Sequence, residues 1–215
     1  MPHVDVQFPV HGTLIPVDHG YHLFSAASQI IPALHGDAEM GIHPMSGTPM
    51  GNRCQAITER SCLTIRLPAE RIKEVLPLAG KALNLGEHTV RVGVPYTRAL
   101  IPSPRLHSRL VIIKGFTEPE PFLEAVQRQL SALEVQGKAS LIEQAHAERA
   151  NQARQGGSHS TFLRRTIRIR DKEIVGFAVK LSTLTAEESM LVQERGIGGR
   201  RRFGCGIFVP IRRGG

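Results

Sequence analysis

The feature that most constrains the fold of this chain is an order of elements, strand–helix–strand–strand–helix–strand, that the sequence indicates twice. In the first copy, "HVDVQFPV" alternates apolar and polar residues as a half-buried strand does. Helical spacing then predicts a helix that begins near Gly20, is capped by Asp18 and is stopped by Pro32. Two extended runs, "CQAIT" and "CLTIRL", follow with a turn near Glu59–Ser61 between them. "PAERIKEVLPLAG" predicts the second helix and "HTVRVGV" the last strand.

The second copy starts after the Pro-rich segment "PYTRALIPSPRLHS". "RLVIIKGF" predicts a strand and "EPEPFLEAVQRQLSALEV" an amphipathic helix. "TFLRRTIRIRD" and "EIVGFAVKLSTL" predict a hairpin across Asp171–Lys172. A short helix capped by Thr185 and ended by Gly196 leads into a closing strand, "FGCGIFVPIR".

This doubled order predicts an α+β protein made of two tandem ferredoxin-like (RRM-like, βαββαβ) units. We place an N-terminal unit at residues 1–104 and a C-terminal unit at residues 105–215, since a chain of 215 residues can hold two small domains. Residues 137–160 are additional to the pattern and are interpreted as a polar helix that runs into a flexible loop.

Hydropathy and cysteine content indicate a cytoplasmic protein with no membrane partner. No stretch approaches the ~18 uninterrupted apolar residues of a membrane span. The first residues, "MPHVDVQFPV", lack the basic and apolar regions of a signal peptide. The three cysteines are odd in number and lack metal-type CxxC spacing, which is typical of free thiols in a reducing compartment.

The charge is divided unevenly along the chain. Residues 1–150 hold 14 basic and 14 acidic residues, whereas residues 151–215 hold 13 basic and 5 acidic ones and so carry the whole net charge of +8. No Lys or Arg precedes Arg53, yet six of the ten histidines do. This division favours a polyanion-binding C-terminal part and an N-terminal part rich in groups that titrate near neutrality.

The glycine- and arginine-rich stretch "GIGGRRRFGCGIF" favours phosphate contact. Because it follows a helix and precedes a strand, it is not a nucleotide-cofactor loop, which has the reverse order. A helix C-cap with a bulged strand would explain Gly196 alone. We predict an RNA-binding loop in which small residues let phosphates approach and arginines supply charge. Its members are Gly198, Gly199, Arg200, Arg201, Arg202, Gly204 and Gly206.

The predicted hairpin carries a second basic strip. Strand alternation puts Arg168 and Arg170 on the face opposite Ile167 and Ile169. A sheet with basic residues on its open face suits RNA recognition by shape and phosphate. The strip comprises Arg164, Arg165, Arg168 and Arg170.

Two ferredoxin-like units with "GIGGRRRFGCG" before the last strand resemble the RAMP superfamily of CRISPR-associated proteins. The block "DHGYHLFSAASQIIPALHG" is similar to the first helix and Leu-His step of the branch that cuts CRISPR repeat RNA. The resemblance implies metal-independent cleavage of precursor CRISPR RNA, in which the ribose 2′-OH attacks its own phosphate and leaves a 2′,3′-cyclic phosphate. It also implies that the enzyme stays on its guide RNA and joins other subunits of a type I effector complex.

The resemblance points to His35 as the catalytic histidine, because it follows the first helix in "PALHGD". Histidine suits proton transfer since its ordinary pKa is about 6.5. His43 stands near where relatives place a lysine, so it is a candidate for stabilising charge. His22 is the reserve catalytic candidate, and His19 could reach the same cleft. Tyr21 could also reach it, although a core aromatic is the more ordinary reading.

No cofactor or metal is expected, because the histidines between residues 19 and 43 show no HExxH pattern and no Cys/His pair. The alternative function is a non-catalytic RAMP subunit that only binds guide RNA within the complex. A general ferredoxin-like RNA-binding protein is disfavoured, since the chain has 5% aromatic residues and no RNP1-like motif.

Overall fold

The structure is a computed structural model that describes residues 2–143 and 161–211. The chain forms two compact units. Unit 1 extends to Leu100 and takes in two later segments, Arg168–Lys172 and Arg200–Gly204. Unit 2 comprises the described parts of Ile101–Ile167, Glu173–Gly199 and the segment from Cys205 onward. The sequence-based division into residues 1–104 and 105–215 stays a prediction.

Unit 1 holds nine strands and one α-helix among its described residues. In chain order they are β1 (His3–His11), β2 (Leu14–Pro16), α1 (Gly20–Ile30), β3 (Gly41–Ile42), β4 (Thr48–Gly51), β5 (Cys54–Ala56), β6 (Cys62–Pro68), β7 (Ala82–Leu85), β8 (His88–Val92) and β9 (Tyr96–Ala99). The main sheet has the order β3-β6-β1-β8-β7, with β9 also paired to β1. A separate small sheet has the order β2-β5-β4.

The main sheet of unit 1 confirms the predicted ferredoxin-like arrangement. Strands β3, β6, β1 and β8 lie side by side as the second, third, first and fourth strands of a βαββαβ unit. Antiparallel register sets Val6 opposite Ile65 and Phe8 opposite Leu63, and all four side chains are buried. The alternation of "HVDVQFPV" therefore correctly predicts which face of β1 enters the core.

Two expected elements of unit 1 are wrong. The run "CQAIT" is not the second strand of the sheet, because β5 pairs with β4 and β2 instead. Asn52 and Arg53, with φ values of 48° and 56°, turn β4 back onto β5 and so keep this hairpin local. The second helix is not α-helical but forms 3-10 turns at Ala69–Glu74 and Leu76–Leu78. Pro77 disfavours one continuous α-helix through this segment, since proline lacks an N–H and clashes with the preceding helical turn.

Helix α1 is where the sequence predicts it, from Gly20, and it ends at Ile30 before Pro32 opens a single 3-10 turn. It buries Leu23, Phe24 and Ala27. The expected cap is wrong: the N-cap position is His19, and no side chain of the described residues caps the helix. The Asp18 carboxylate instead accepts a hydrogen bond from the backbone N–H of Arg168 at 2.7 Å.

Unit 2 repeats the arrangement. Its elements are β10 (Leu106–Val111), α2 (Pro119–Ala132), β11 (Lys138–Leu141), β12 (Arg164–Ile169), β13 (Lys172–Ser182), α3 (Ala186–Arg195) and β14 (Val209–Pro210). The sheet order is β11-β13-β10-β14, with β12 also paired to β13. Strands β14, β10, β13 and β12 lie side by side, and they are again the fourth, first, third and second strands of a βαββαβ unit. The tip of the β12–β13 hairpin is counted in unit 1.

The helices of unit 2 end as the sequence predicts. The Thr185 hydroxyl accepts from the Glu188 N–H, and the Glu188 carboxylate accepts in return from the Thr185 N–H, which completes a capping box. Gly196 ends α3 with φ of 70°. Phe122, Val126 and Leu130 of α2 are buried in the core.

Two expectations in unit 2 need correction. Residues 138–141 form β11 rather than the start of a polar helix, while the rest of the expected helix and loop, residues 144–160, lies outside the described residues. The closing strand is only Val209–Pro210, because Gly204 and Gly206 adopt φ values of 84° and 66° that a strand cannot contain. None of the described helices is long and apolar enough to cross a membrane.

Candidate active site

A cleft of about 940 Å³ opens on unit 1. One wall is a face of α1, and the chain just after that helix continues it. The opposite sides come from the tip of the β12–β13 hairpin and from the arginine-rich loop after α3. The lining residues are Tyr21, Phe24, Ser25, Ser28, Gln29, Pro32, His35, Ile169, Arg170, Asp171, Lys172, Arg200, Arg202 and Phe203. The cleft therefore joins the predicted histidine region to the predicted basic region.

His35 is exposed at the end of the 3-10 turn Pro32–Leu34. Its backbone N–H donates to the Pro32 carbonyl at 3.0 Å, which ends the turn. Its ring packs nearly perpendicular to the Phe24 ring, with the centroids 5.2 Å apart. Within residues 2–143 and 161–211, no side chain hydrogen-bonds the imidazole. Both ring nitrogens are thus free of described protein partners and available to a ligand.

The cleft is strongly cationic. Among the described residues, Arg170, Lys172, Arg200 and Arg202 line it, against one carboxylate, Asp171. The Arg202 guanidinium lies over the Phe24 and Phe203 rings, 5.2 Å from each centroid, so its planar fork is held in place by cation–π contact. Such an excess of fixed positive charge in a concave site attracts an anion, and a guanidinium matches the geometry of a phosphate.

The loop after His35 is anchored by an ion-pair network. The Asp37 carboxylate accepts the backbone N–H groups of Glu39 and Met40 and pairs with the Arg71 guanidinium, which also binds Glu74. Burial raises the pKa of Asp37, but the hydrogen bonds from Arg71 and from the two N–H groups outweigh burial and leave the pKa below its ordinary value. The loop that carries His35 is therefore fixed by a carboxylate that stays ionised.

His43 lies in a different environment, half-buried beside Asp5 and Arg66. Arg66 is 1% exposed and forms a bidentate pair with Asp5 at 2.7 and 2.9 Å. The His43 Nε2 is 3.5 Å from the same carboxylate. Burial lowers the pKa of His43 and outweighs the hydrogen bond to Asp5, with Arg66 and Arg201 adding to the decrease. Of the described residues, His43 is not one that lines the cleft, so its predicted role in stabilising charge there lacks geometric support.

His19 is a structural residue. It is 1% exposed, its Nδ1–H donates to the Pro16 carbonyl at 2.7 Å, and its Nε2 accepts the Met45 N–H at 2.9 Å. With both ring nitrogens engaged, it has no lone pair or proton to offer a substrate. His22 is exposed on α1 and lies near Gly86, and among the described residues it does not line the cleft. We therefore leave both out of the proposed catalytic set.

The glycines of the arginine-rich loop have intramolecular roles. Gly198 has φ of 76°, and a Cβ there would lie 2.5 Å from the Ile112 carbonyl oxygen. The backbone N–H of Gly198 donates to the Gln129 side chain, and the N–H groups of Gly199, Gly204 and Gly206 donate to backbone carbonyls. Contact of these glycines with RNA stays a prediction. Such contact would not use their backbone N–H groups, because these already donate hydrogen bonds within the protein.

The consecutive arginines separate in space. Arg200 and Arg202 line the cleft, whereas Arg201 reaches the Ala38 carbonyl at 3.4 Å and acts electrostatically on His43. On the hairpin, Arg170 lines the cleft and Arg168 is exposed. Arg164 is exposed and Arg165 half-buried, and both belong to unit 2.

Sequence reasoning missed several cleft residues. Helical spacing indicates Phe24 only as a core position of α1, and Lys172 only as part of a turn. The face of α1 in the cleft also presents Ser25, Ser28 and Gln29. The sequence signal that could have revealed this face is the helical spacing of polar residues beside the apolar stripe of α1. Across the described residues, no three His, Cys, Asp or Glu side chains converge in a way that could hold a metal ion.

Comparisons with known proteins agree with this geometry. A family model described as Cas6 Crispr matches residues 4–213. The CRISPR-associated endonuclease Cas6 of Myxococcus xanthus (strain DK1622) is 37% identical over 210 residues, which cover 98% of this chain and 82% of that protein.

Solved structures share the fold at low identity. A RAMP protein described as binding different RNA substrates is 10% identical, with a TM-score of 0.67 over 99% of this chain and all of that one. A Cas6-related protein from Pyrococcus furiosus is 14% identical, with a TM-score of 0.65 over 99% of each chain. A CRISPR-associated protein Cas6 is 11% identical, with a TM-score of 0.64 over 98% of this chain and 99% of that one. With the family match over nearly its whole length and a relative 37% identical, this chain belongs to the Cas6 family of CRISPR-associated proteins.

Proposed function

We propose that this chain is a metal-independent endoribonuclease that binds CRISPR repeat RNA and cleaves precursor CRISPR RNA by 2′-OH attack. The observation that carries the proposal is the cleft in which His35 faces four cationic side chains. The relative from Myxococcus xanthus is named an endonuclease, and at 37% identity it supports the same class of activity here.

The reaction needs two proton transfers. The 2′-OH loses a proton as it attacks the adjacent phosphorus, and the 5′-oxygen gains one as it leaves, so a 2′,3′-cyclic phosphate and a 5′-OH result. His35 is the one histidine among the described cleft residues, and its ring nitrogens are open to substrate. We assign His35 to proton transfer at the scissile phosphate. The Tyr21 hydroxyl, on the same wall of the cleft, is assigned to hold the 2′-OH.

Charge develops on the phosphorane, and the cleft arginines are placed to stabilise it. Arg202 is held over two aromatic rings, so little ordering is required of it when substrate binds. Arg200 lines the same cleft and is assigned the other phosphorane oxygen. Arg170 and Lys172 are assigned to flanking phosphates.

Repeat RNA is the proposed substrate, and residues 105–215 are proposed to grip it. The basic excess of residues 151–215 supports this division, as do Arg164, Arg165 and Arg168 on the hairpin. Tight electrostatic binding also supports retention on the product guide RNA, and with it entry into a type I effector complex.

The test is cleavage of the repeat RNA of the genome that encodes this chain, in EDTA, followed on a denaturing gel. The substrate is supplied unmodified and with a 2′-deoxy residue at the cut. We expect one cleavage in EDTA that the 2′-deoxy substitution blocks. Loss of cleavage in EDTA would reject metal independence. Tight binding without any cleavage would reject catalysis and favour the non-catalytic guide-RNA-binding subunit.

A further inference from the structure

One aromatic ring contacts both parts of the proposed catalytic machinery. Phe24 of α1 is 6% exposed and lines the cleft. The His35 ring stands against it at 5.2 Å and 78°, and the Arg202 guanidinium lies 5.2 Å from its centroid. Phe203 packs against the same ring at 5.0 Å and 75°. His35 and Arg202 are therefore neighbours across a single side chain.

Among the described residues, no polar group orients the His35 ring in the way that a proton-transfer histidine is ordinarily oriented. In most sites a carboxylate or carbonyl bonds one ring nitrogen, fixing the tautomer and the direction of the other. Within the part of the chain that the structure describes, the Phe24 ring is the contact that constrains the imidazole. Perpendicular packing of two rings restricts rotation of the imidazole about its side-chain bonds while leaving both nitrogens open.

Phe24 differs from the other buried apolar residues of its helix. Leu23 and Ala27 are buried, but among the described residues they do not line the cleft. The ring of Phe24 also presents a π-face to Arg202, which an aliphatic side chain of similar volume could not do. The aromatic character of Phe24, and not only its volume, therefore contributes to the contact with Arg202.

We propose that Phe24 is a positioning residue that aims the His35 imidazole and the Arg202 guanidinium at one phosphate. This inference rests on the proposed endoribonuclease function and adds a residue that acts through His35 and Arg202. Its consequence is that loss of the ring lowers the rate of the chemical step while leaving RNA affinity nearly unchanged.

The test compares Phe24→Leu with Phe122→Leu under single-turnover conditions on repeat RNA. Phe122 is fully buried in unit 2 and pairs with Phe177 at 4.9 Å, so its substitution removes a similar aromatic contact away from the lining of the cleft. We expect Phe24→Leu to lower the cleavage rate constant by about ten- to a hundredfold, as misplacement of a catalytic group does. Its RNA dissociation constant should change by less than about threefold.

Phe122→Leu should lower the melting temperature and leave the rate constant unchanged. Equal rate losses in the two variants would overturn the proposal.

A double-variant cycle with Arg202→Gln tests the coupling directly. If Phe24 acts through Arg202, the two rate losses will combine to less than their product, by about threefold or more. Strictly multiplicative losses would overturn the part of the proposal that concerns Arg202.

A spectroscopic readout separates this proposal from the function on which it rests. With labelled histidine, the His35 ring protons are assigned by their absence in His35→Ala, and the Phe24 ring current should shift them. Phe24→Leu should move these resonances, whereas Phe122→Leu should not. An unmoved His35 signal would overturn the proposal whether or not the wild type cleaves. A wild type that does not cleave would instead reject the endoribonuclease function.

Discussion

Unit 1 contains two clusters that each combine a histidine with arginine, and their environments are opposite. The cleft cluster comprises His35, Arg200 and Arg202, with Arg170 and Lys172 beside them. The buried cluster comprises Asp5, Arg66 and His43. The two histidines are only eight positions apart in the sequence. His35 is exposed beside an excess of positive charge, whereas His43 is half-buried beside a carboxylate that a buried arginine already neutralises.

The difference shows how the same residue types serve structure or chemistry. In the buried cluster each charge is compensated inside the protein, because an unpaired charge at 1% exposure would be very costly. In the cleft the described cationic side chains outnumber the one described carboxylate, Asp171, so the excess positive charge is available to an anionic ligand. Four predictions test this comparison.

The largest effect is expected at the two histidines. His35→Ala should lower the cleavage rate constant by about 10²–10⁴-fold with RNA affinity retained, because the proton-transfer group is lost. His43→Ala should leave the rate constant near wild type and lower the melting temperature. His22→Ala, an exposed position on α1, is the matched control. Rates from single-turnover cleavage decide the comparison, and an active His35→Ala together with an inactive His43→Ala would reverse it.

The next effect concerns stability. Arg66→Met should lower the free energy of unfolding by about 3–5 kcal/mol, because Asp5 is left without its bidentate partner inside the protein. Arg91→Met, at an exposed position of β8, should change it by no more than about 0.5 kcal/mol. Urea denaturation measures both. A small change for Arg66→Met would mean that the buried cluster is not a stabilising element.

A smaller effect distinguishes two adjacent arginines. Arg202→Gln should lower the cleavage rate constant by about a hundredfold, as removal of one donor to a developing oxyanion does. Arg201→Gln should affect the rate less and stability more, because Arg201 reaches the Ala38 carbonyl rather than the cleft. Since Arg202 is assigned to a phosphate, Arg202→Gln should also reduce the slope of log affinity against log salt by about 0.7. Equal rate losses would contradict the separation of these side chains.

The smallest effect is a pH dependence of stability. Burial is the main cause that lowers the pKa of His43. The unfolded chain therefore takes up a proton near pH 6.5, whereas the folded chain does not. Stability is then present above pH 6.5 and is lost as the pH falls through the lowered pKa. Asp5 acts in the same direction at lower pH: its burial raises its pKa, yet hydrogen bonds from His43 and Arg66 hold it well below the ordinary value.

His43→Gln should therefore flatten the decline in the free energy of unfolding that begins as the pH falls below about 6.5. Urea titrations of wild type and variant at several pH values measure it. The acid side of the profile, from Asp5, should persist in the variant. Parallel curves across the whole range would mean that His43 does not titrate differently in the folded and unfolded chain.

Local sequence signals predicted the elements that depend on neighbouring residues. The capping box at Thr185, the glycine that ends α3 and the alternation of β1 all act within a few positions, and the structure confirms them. The second strand of unit 1 could not be found this way. Strand β3, Gly41–Ile42, is too short to show any periodicity. The residues it pairs with, Arg66 and Ile65, lie far along the chain.

Sequence by itself determined the α+β class, the doubled order of elements and the concentration of positive charge near the C-terminus. Through the family resemblance it also supplied His35 as the proposed catalytic histidine. Only the tertiary structure decided that His43 pairs with Asp5 and that His19 is buried. It also decided that Arg201 lies outside the lining of the cleft and that Phe24 contacts both His35 and Arg202. The physical reason is that propensity, capping and periodicity act between residues close in the chain. Burial and charge compensation depend on contacts between segments that only folding brings together.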